Sequence, residues 1–331
     1  MRVGLLTGGG DCPGLNAAIR AIVRCATLSH DEIIGFHHGW RGVVEREMSS
    51  LTTAETKGIL QSGGTILHTD RYHPEQHEGG TDAVCRTVEE ERLDALIVIG
   101  GDGTLTSASR LAKIGIPLVG IPKTIDNDVV GTMKCIGFDT AVATATEAID
   151  RVHTTGESHD RVMIVEVMGR TVGWLAACAG IAAGADAICL PEEVTDIDAL
   201  ARAIIQRHDL GSSSSVVVVA EGAHVLESKK SSTSSVGAQV ASGLSTRTGY
   251  DSRLTVLGHI QRGGAPVPSD RLLATSFGVA AIDAVHSGRF ASLISGDGIS
   301  TQLGPIECVE EGRRMLPDSL LHVAHQLTVS S

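Results

Sequence analysis

The residues best suited to chemistry lie in the segment Ile121–Asp128 (IPKTIDND), directly after the apolar run 116–120. The segment places Asp126 and Asp128 on a loop where a strand should end, and open α/β sheets hold their ligands on such loops. A carboxylate there can accept the proton of a sugar hydroxyl as its oxygen attacks phosphorus. Thr124 can donate a hydrogen bond to a phosphate or sugar oxygen. The alternative is that Asp-Asn-Asp only closes an Asx turn.

A second acidic loop, Gly100-Gly101-Asp102-Gly103-Thr104, follows the apolar run Ala95–Ile99. Its glycines let a polyphosphate approach the backbone, and Asp102 can hold a magnesium ion directly or through water. The alternative is that Asp102 caps the helix that follows, although a cap does not require a glycine on each side. We therefore predict a phosphate-and-magnesium site at this loop.

A third segment, Thr7–Asn16 (TGGGDCPGLN), joins the first predicted strand to the first predicted helix. Its backbone N–H groups could approach an anion at a helix N-terminus, and a simple tight turn is the alternative. Cys12 could be a nucleophile, but no histidine stands near it in sequence, and we predict a buried structural thiol.

Short β-branched runs alternate with helical patterns along the chain, and their near-continuous apolarity predicts parallel strands covered on both faces. The predicted strands are Val3–Thr7, Ile33–Phe36, Ala95–Ile99, Leu118–Ile121, Val162–Val167, Ala187–Leu190, Val216–Ala220 and Leu254–Leu257. The predicted helices are Leu15–Ala26, Leu105–Lys113, Thr140–Arg151, Ile197–Arg207 and Arg271–Ser287. This order predicts an α/β protein with two doubly wound, mostly parallel sheets and an active site in the cleft between them.

Two domains fit the length of 331 residues, since single cores seldom grow beyond roughly 250–300 residues. We predict that residues 1–137 with 258–303 bind the phosphoryl donor and magnesium. Residues 138–257 with 304–331 would then bind a sugar phosphate. Several arginines at predicted strand ends suit bidentate recognition of such an anion, although each alone could be a surface ion pair. The polar side chains in these positions are Arg71, Arg161, Arg170, Glu221, Arg253, His259 and Arg262.

Composition narrows the class of protein further. The formal charge of −12 argues against a nucleic-acid partner, which rewards a basic surface. No run approaches the roughly 20 apolar residues of a membrane span. The N-terminus reads as a strand rather than a signal peptide, and the seven cysteines read as reduced thiols. We therefore expect a cytoplasmic protein.

Five motifs together resemble the 6-phosphofructokinase family and follow its order over roughly Met1 to Gly296. They are Gly8-Gly9-Gly10-Asp11-Cys12-Pro13-Gly14, Gly100-Gly101-Asp102-Gly103-Thr104, Pro122-Lys123-Thr124-Ile125-Asp126-Asn127-Asp128, Met168-Gly169-Arg170 and Gly258-His259-Ile260-Gln261-Arg262-Gly263-Gly264. The resemblance implies the family's fold and a glycolytic kinase, which transfers a phosphoryl group to the 1-hydroxyl of fructose 6-phosphate and gives fructose 1,6-bisphosphate.

The resemblance also implies a role for each matching residue. Asp126 would be the catalytic base, aided by Thr124, Asp128 and Arg170, and Asp102 would bind Mg²⁺. The donor would contact Gly10, Arg71, Tyr72, Gly101, Asp102, Gly103 and Thr104. The sugar phosphate would contact Thr124, Asp126, Arg161, Met168, Gly169, Arg170, Glu221, Arg253, His259 and Arg262. Arg161 and Arg253 match residues that family members lend to a neighbouring subunit, which implies a homo-oligomer, usually a tetramer.

The phosphoryl donor depends on two positions that point in different directions. Gly103 matches the ATP users of the family, and an aspartate there would repel the α-phosphate of a nucleotide. Lys123 matches the pyrophosphate users, although a lysine could pair with the terminal phosphates of ATP. We predict ATP on the strength of Gly103, with the pyrophosphate-dependent phosphotransferase as the alternative.

The loop before Arg71 departs from the family pattern, because His68-Thr69-Asp70 stands where Gly and Ser are usual. Asp70 could compete for the charge of Arg71 and weaken donor binding. That departure leaves a further alternative, a non-catalytic sugar-phosphate-binding regulator. Arg20 and Arg24 match a family effector site, but His153 and Ser212–Ser215 replace its other basic residues, so that regulation is not implied.

Overall fold

The computed structural model describes residues 1–226 and 235–327, and it has the predicted α/β class. Its strands are β1 (Arg2–Gly8), β2 (Glu32–Phe36), β3 (Met48–Leu51), β4 (Ala95–Gly100), β5 (Leu118–Pro122), β6 (Val162–Val167), β7 (Ala187–Cys189), β8 (Val194–Asp196), β9 (Ser215–Ala220), β10 (His224–Leu226), β11 (Ser252–Val256), β12 (Ser292–Gly296) and β13 (Thr301–Pro305). Its α-helices are α1 (Leu15–Leu28), α2 (Trp40–Glu45), α3 (Gly80–Glu90), α4 (Asp102–Lys113), α5 (Phe138–His159), α6 (Trp174–Ala182), α7 (Ile197–Asp209), α8 (Val236–Thr248), α9 (Pro268–His286) and α10 (Asp318–Leu327).

Every predicted strand and helix has an observed counterpart, and the structure adds elements that the sequence patterns did not indicate. Three of the added strands, β3, β8 and β10, have only three or four residues and are partly exposed, so their apolar runs are weak. The added strands β12 and β13 have five residues each, and the apolar run of β12 is only Leu293 and Ile294. The chain divides into unit 1, residues 1–140 with 262–314, and unit 2, the described residues within 141–261 and 315–331.

Residues 304–314 do not lie in the domain that we predicted for them, which was the second one. The structure places them in unit 1, because β13 pairs antiparallel with β12 and extends the sheet of that unit. The 3₁₀ helix Ile306–Glu311 then packs on α4, where Lys113 Nζ lies 2.8 Å from Glu310 Oε1.

Unit 1 contains a seven-stranded sheet in the order β13-β12-β5-β4-β1-β2-β3. The five inner strands are parallel, whereas β3 and β13 run antiparallel at the two edges. All six residues of β4 are buried, as expected of a parallel strand with both faces covered. Side chains of α2, α3 and α4 form one buried apolar cluster with the sheet, and α1 packs against α9.

The strand order of unit 1 reverses between β1 and β4, since the chain first builds outward through β2 and later through β5. Doubly wound sheets bind ligands outside the carboxyl ends of strands at such a switch point. The loops after β1, β4 and β5 therefore start at the position where a ligand site is expected.

Unit 2 contains a four-stranded parallel sheet in the order β11-β6-β9-β7, and β8 and β10 form a separate two-stranded sheet. The central strands β6 and β9 are buried throughout. No helix within residues 1–226 or 235–327 combines the length and apolar composition needed to cross a membrane.

Candidate active site

The three predicted loops lie side by side in unit 1 because their strands end at the same level. Gly8 of β1 pairs with Gly100 of β4, and Gly100 pairs with Pro122 of β5. The loops border one cavity of about 290 Å³. It is lined by Gly9, Gly10, Arg71, His73, Gly101, Asp102, Gly103, Thr104, Thr124, Asp126, Asp128 and Arg313. Asp102 and Asp126, from different loops, thus share a cavity.

The glycines at two of these strand ends allow α4 to approach the sheet. A Cβ atom on Gly8 would lie 2.7 Å from Thr104 Cγ2, and one on Gly100 would lie 2.4 Å from Thr104 Cβ. Thr104 is buried, and its carbonyl accepts a hydrogen bond of 3.1 Å from Trp40 Nε1. The first turn of α4 is therefore held against the ends of β1 and β4, at the edge of the cavity.

Asp102 does not cap α4, so the capping alternative is wrong. Gly101 occupies the N-cap position without a side-chain hydrogen bond, and Asp102 is the first helical residue. Both residues line the cavity, so the positive end of the helix dipole and its first N–H groups lie beside it. Burial raises the pKa of Asp102 above its ordinary value, and Asp128 adds to the rise while Arg313 and His73 oppose it.

Hydrogen bonds of Asn127 and Thr124 shape the loop after β5, which carries Asp126 and Asp128. Asn127 adopts a left-handed conformation with φ of 53°, and its Oδ1 accepts a 2.9 Å bond from the Cys135 backbone N–H. The Asp126 backbone N–H donates to Thr124 Oγ1 over 3.1 Å. Asp126 is half-buried and Asp128 is buried. The bond of Asn127 to Cys135, eight residues on, is not the two-residue contact of an Asx turn, and Asp126 and Asp128 both line the cavity.

Arg313 is a cavity residue that the sequence patterns did not indicate. Its Nη1 lies 2.5 Å from Asp128 Oδ2, and its Nη2 lies 3.5 Å from Asp102 Oδ2. One guanidinium therefore contacts a carboxylate from each of the two acidic loops. No motif marks Arg313 in the sequence, and its contact with Asp128 spans 185 positions.

His73 is the second cavity residue that the sequence patterns missed, and it lies over Gly103. A Cβ atom at position 103 would come within 2.7 Å of His73 Cε1. The ring is held by a 3.1 Å contact between His73 Nδ1 and Ser107 Oγ, and Ser107 Oγ also donates to Glu75 Oε1. The His73 imidazole therefore borders the space that a side chain at position 103 would occupy.

Lys123 is buried and bonded to backbone carbonyls, whereas a lysine that pairs with the terminal phosphates of ATP should face the cavity. It is 2% exposed, and its Nζ donates to the carbonyl of Gly8 over 2.9 Å and to the carbonyl of Gly10. Burial lowers the pKa of its ammonium group. In this structure Lys123 holds the first glycine loop and does not line the cavity described above.

Residues 68–70, which depart from the family pattern, are hydrogen-bonded to the first glycine loop. Thr69 Oγ1 donates to the Gly9 carbonyl over 2.7 Å, and the Gly9 N–H donates to the Asp70 carbonyl over 2.8 Å. The Asp70 carboxylate lies 3.2 Å from Arg41 Nε. Asp70 thus has its own cationic partner, and the expected competition for the Arg71 guanidinium is not seen.

Three further predicted residues of unit 1 lie around the first loop. Tyr72 stacks on His77 with ring centroids 4.1 Å apart and is not among the cavity-lining residues. Arg262 Nη1 donates to the Asp11 carbonyl over 3.2 Å, and its guanidinium lies against Gly10. Cys12 is buried, and burial raises the pKa of its thiol to about 12, which fits the predicted structural thiol.

The predicted sugar-phosphate residues of unit 2 gather at the carboxyl ends of β6, β9 and β11. The Glu221 N–H donates to the Val167 carbonyl, and a Cβ on Gly222 would lie 1.9 Å from the Arg170 carbonyl oxygen. Gln261, in the 3₁₀ helix Gly258–Arg262, accepts a 3.4 Å bond from the Met168 N–H. These contacts bring the turns that carry Met168, Gly169, Arg170, Glu221 and His259 to one edge of the sheet.

Arg161 and Arg253 share one carboxylate in unit 2. Arg161 Nε lies 2.9 Å from Asp251 Oδ2, and Arg253 Nη1 lies 2.5 Å from Asp251 Oδ1. The Arg253 side chain is 53% exposed, which leaves much of the guanidinium accessible. Arg161 directly precedes β6 and Arg253 lies in β11, and the structure brings the two arginines together because these strands pair in the unit 2 sheet.

Comparison with known proteins places the chain in a family. A family model described as "Phosphofructokinase" matches residues 2–285. The chain is 44% identical to the "ATP-dependent 6-phosphofructokinase 3" of Streptomyces coelicolor, with 96% of this chain and 97% of that protein covered. It is 46% identical to the "Pyrophosphate--fructose 6-phosphate 1-phosphotransferase" of Amycolatopsis mediterranei, with 89% and 90% covered.

A solved structure of Pichia pastoris phosphofructokinase in the T-state is similar over 98% of this chain, with a TM-score of 0.86 and 31% identity. The match covers 37% of that yeast chain, so this chain corresponds to roughly a third of its length. The match over residues 2–285 and the near full-length bacterial relatives agree with the observed fold. The chain belongs to the phosphofructokinase family.

Proposed function

We propose that the protein transfers the γ-phosphoryl group of ATP to the 1-hydroxyl of fructose 6-phosphate. The observation that carries this proposal is the shared cavity of unit 1, in which loops from three adjacent parallel strands bring Asp102, Asp126 and a helix N-terminus together. A polyphosphate beside a helix N-terminus and a carboxylate able to accept a proton are the parts that phosphoryl transfer to an alcohol requires.

Asp126 is the proposed base. Its carboxylate would accept the proton of the sugar hydroxyl while the hydroxyl oxygen bonds to the γ-phosphorus and the bond to the leaving oxygen breaks. Thr124 Oγ1 accepts the Asp126 N–H and so fixes the turn that presents this carboxylate. Asp128 contributes negative charge but is held by Arg313, and we assign it a supporting role.

Asp102 is the proposed ligand of Mg²⁺. Within residues 1–226 and 235–327, no three His, Cys, Asp or Glu side chains are grouped as a metal cage. Magnesium commonly takes one or two carboxylates and completes its shell with substrate phosphates, and an aspartate at the mouth of a polyphosphate cavity fits that mode. When bound, the ion would neutralise phosphate charge that develops during transfer.

The remaining predicted residues fall into two proposed groups. Gly10, Arg71 and the residues 101–104 would hold the donor, with Tyr72 beside them. Arg170, Glu221, His259 and Arg262 would hold the sugar phosphate with Met168 and Gly169. We further propose a cytoplasmic homo-oligomer, usually a tetramer in this family, in which Arg161 and Arg253 complete the site of a neighbouring subunit.

ATP is the donor we propose, because Gly103 leaves the α-phosphate region open. The second candidate is pyrophosphate, which is favoured by Lys123 and by the similarity to the pyrophosphate-type enzyme of Amycolatopsis mediterranei. The buried position of Lys123 weakens the argument from its charge, since its ammonium group already binds two backbone carbonyls.

A coupled assay that compares ATP with pyrophosphate tests the donor directly. We expect turnover of fructose 6-phosphate with MgATP and little with pyrophosphate. Turnover with pyrophosphate alone would overturn the donor while leaving the reaction class intact. Binding of fructose 6-phosphate without turnover under either donor would instead identify a non-catalytic regulator.

A further inference from the structure

The segment that contains Arg313 is attached to the acidic loop after β5 by its backbone as well as by its side chains. Val129 and Arg313 form an antiparallel bridge, and the Arg314 N–H donates to the Asp128 carbonyl over 2.9 Å. Arg314 Nη1 also approaches the Asn127 carbonyl at 3.4 Å. Because these contacts fix the main chain on both sides, the Arg313 side chain leaves from a defined point next to Asp128.

From that point the guanidinium connects the two acidic loops. Nη1 pairs with Asp128, whose side chain is 4% exposed, and Nη2 reaches Asp102, whose side chain is 35% exposed. The planar fork of arginine can hold two carboxylates at a set separation, which a lysine cannot do. Arg313 and Asp102 also line a second cavity of about 260 Å³, next to Thr106 and Gly312. The pair therefore stands between two spaces at the N-terminus of α4.

Charge explains what the contact would do. Asp102, Asp126 and Asp128 line one cavity, and without cations beside them their mutual repulsion would drive the carboxylates apart. Arg313 supplies the positive charge that contacts Asp102 and Asp128. The same positive charge opposes the approach of a divalent ion to Asp102, because like charges repel strongly at a few ångströms.

We propose that Arg313 is a positioning residue, which fixes the separation of Asp102 and Asp128 and serves as the counter-cation of Asp102 until a metal-bound donor replaces it. The proposal rests on the proposed function for its catalytic part. The role of Arg313 as counter-cation of Asp102 can be tested in the donor-free protein, without any assumption about the reaction. Arg313 also lies outside the segment 2–285 that the family model matches.

Two variants separate charge from geometry. Arg313→Gln removes the charge and the fork, whereas Arg313→Lys keeps the charge but cannot span both carboxylates. Lys113→Gln is the matched control: it makes the same change in net charge near the far end of α4, where Lys113 pairs with Glu310. Melting temperatures report whether each variant is folded.

The first readout is Mn²⁺ binding to the full-length protein without donor or sugar, followed by electron paramagnetic resonance of the free ion. In Arg313→Gln we expect Mn²⁺ affinity to rise about fivefold or more, since one nearby positive charge is lost. The double variant Arg313→Gln/Asp102→Asn should lose this gain, and Lys113→Gln and Arg313→Lys should stay near wild type. Unchanged Mn²⁺ affinity in folded Arg313→Gln would overturn the counter-cation part of the proposal.

The second readout is steady-state kinetics. In both Arg313 variants we expect kcat to fall about tenfold, with KM for fructose 6-phosphate within about twofold, because a misplaced group of the donor site slows transfer without weakening sugar binding. Full kcat in Arg313→Lys would overturn the positioning part, and this variant carries the test if Arg313→Gln does not fold. Inactivity of the wild-type protein with every donor would reject the proposed function but would leave the Mn²⁺ result valid.

Discussion

Asp126 and Asp128 are two positions apart, yet their carboxylates have different surroundings. Asp128 is buried, and its carboxylate is paired with the Arg313 guanidinium. Asp126 is half-buried and lines the cavity. The position of these two aspartates on one loop does not by itself show which of them is the base. We assign the base role to Asp126, which lines the cavity, because Asp128 Oδ2 already contacts the Arg313 guanidinium at 2.5 Å.

Replacement of the proposed base gives the most direct prediction at this scale. In Asp126→Asn we expect kcat to fall about 10²–10⁴-fold, the usual contribution of a positioned general base. The dissociation constant of fructose 6-phosphate should change little, because the side chain keeps its size. Steady-state kinetics and calorimetric binding of the sugar phosphate measure the two effects. Asp82→Asn, at an exposed position of α3, is the control, and near-normal turnover in Asp126→Asn would remove Asp126 from the base role.

Gly103 offers a second prediction, because the structure shows what a larger residue would meet. In Gly103→Asp the new side chain would displace His73 and add a negative charge beside the donor phosphates. We expect kcat/KM for ATP to fall about 100-fold, which corresponds to about 2.7 kcal/mol of repulsion and lost contact. Initial rates over a range of MgATP concentrations provide the measurement.

Gly304→Asp is the control for that substitution, since a Cβ atom there meets nothing within 4 Å. Its ATP kinetics should match the wild type. Undiminished use of ATP by Gly103→Asp would show that the α-phosphate region does not lie at this position, and the argument from Gly103 to the donor would fail.

At the scale of elements, the first glycine loop is stabilised by a buried lysine rather than by its own backbone alone. Lys123 begins the loop after β5 and binds carbonyls in the loop after β1, and thus joins two neighbouring strand ends. Its ammonium is desolvated, which lowers its pKa, so the two carbonyl contacts must offset the cost of burial. A residue associated with donor choice is therefore also part of the scaffold.

Lys123→Met tests this structural role. Methionine keeps most of the volume but leaves the Gly8 and Gly10 carbonyls without their donor. We expect a loss of about 1–3 kcal/mol in the free energy of unfolding and a higher KM for the phosphoryl donor, measured by urea denaturation and steady-state kinetics. Lys113→Met, at a half-exposed position, should leave both unchanged. A Lys123→Met protein of unaltered stability would contradict the scaffold role.

The elements also show which parts of the site could be predicted from the sequence. Continuous apolar runs such as Ala95–Ile99 identify buried parallel strands, and parallel strands bring their carboxyl ends to one edge, so the meeting of the acidic loops was predictable. Burial of a polar residue was not, because nothing local in Pro-Lys-Thr shows that Lys123 turns inward. Arg313 was hidden for another reason: its partner lies 185 positions away, and no pattern in the intervening chain records the contact.

At the scale of the whole molecule, the proposed sharing of arginines between subunits can be tested by complementation. Asp126→Asn subunits would retain Arg161 and Arg253, whereas Arg161→Ala/Arg253→Ala subunits would retain Asp126. If the arginines act on a neighbouring site, hybrids of the two inactive variants regain intact sites. An equimolar mixture, reassembled after mild dissociation, should recover about a quarter of wild-type activity on random pairing.

The control mixture combines Asp126→Asn with an Asp126→Asn/Arg253→Ala variant and should remain inactive. Assembly is followed by mass photometry, so that a failure of mixing is distinguished from a failure of sharing. Hybrids that form but remain inactive would show that each subunit uses its own arginines.

Unit 1 is completed only by residues that follow most of unit 2 in the chain. On the ribosome, β1 to β5 emerge first, while β12, which pairs with β5, and α9, which packs on α1, are translated after residue 261. Domains that fold during synthesis can do so only when their own segments are available. The nascent protein must therefore carry an unfinished sheet edge while residues 141–261 of the second unit are synthesised. Arg313 is translated after all of these elements, so its ion pairs with Asp102 and Asp128 can form only once every strand of the unit 1 sheet has been made.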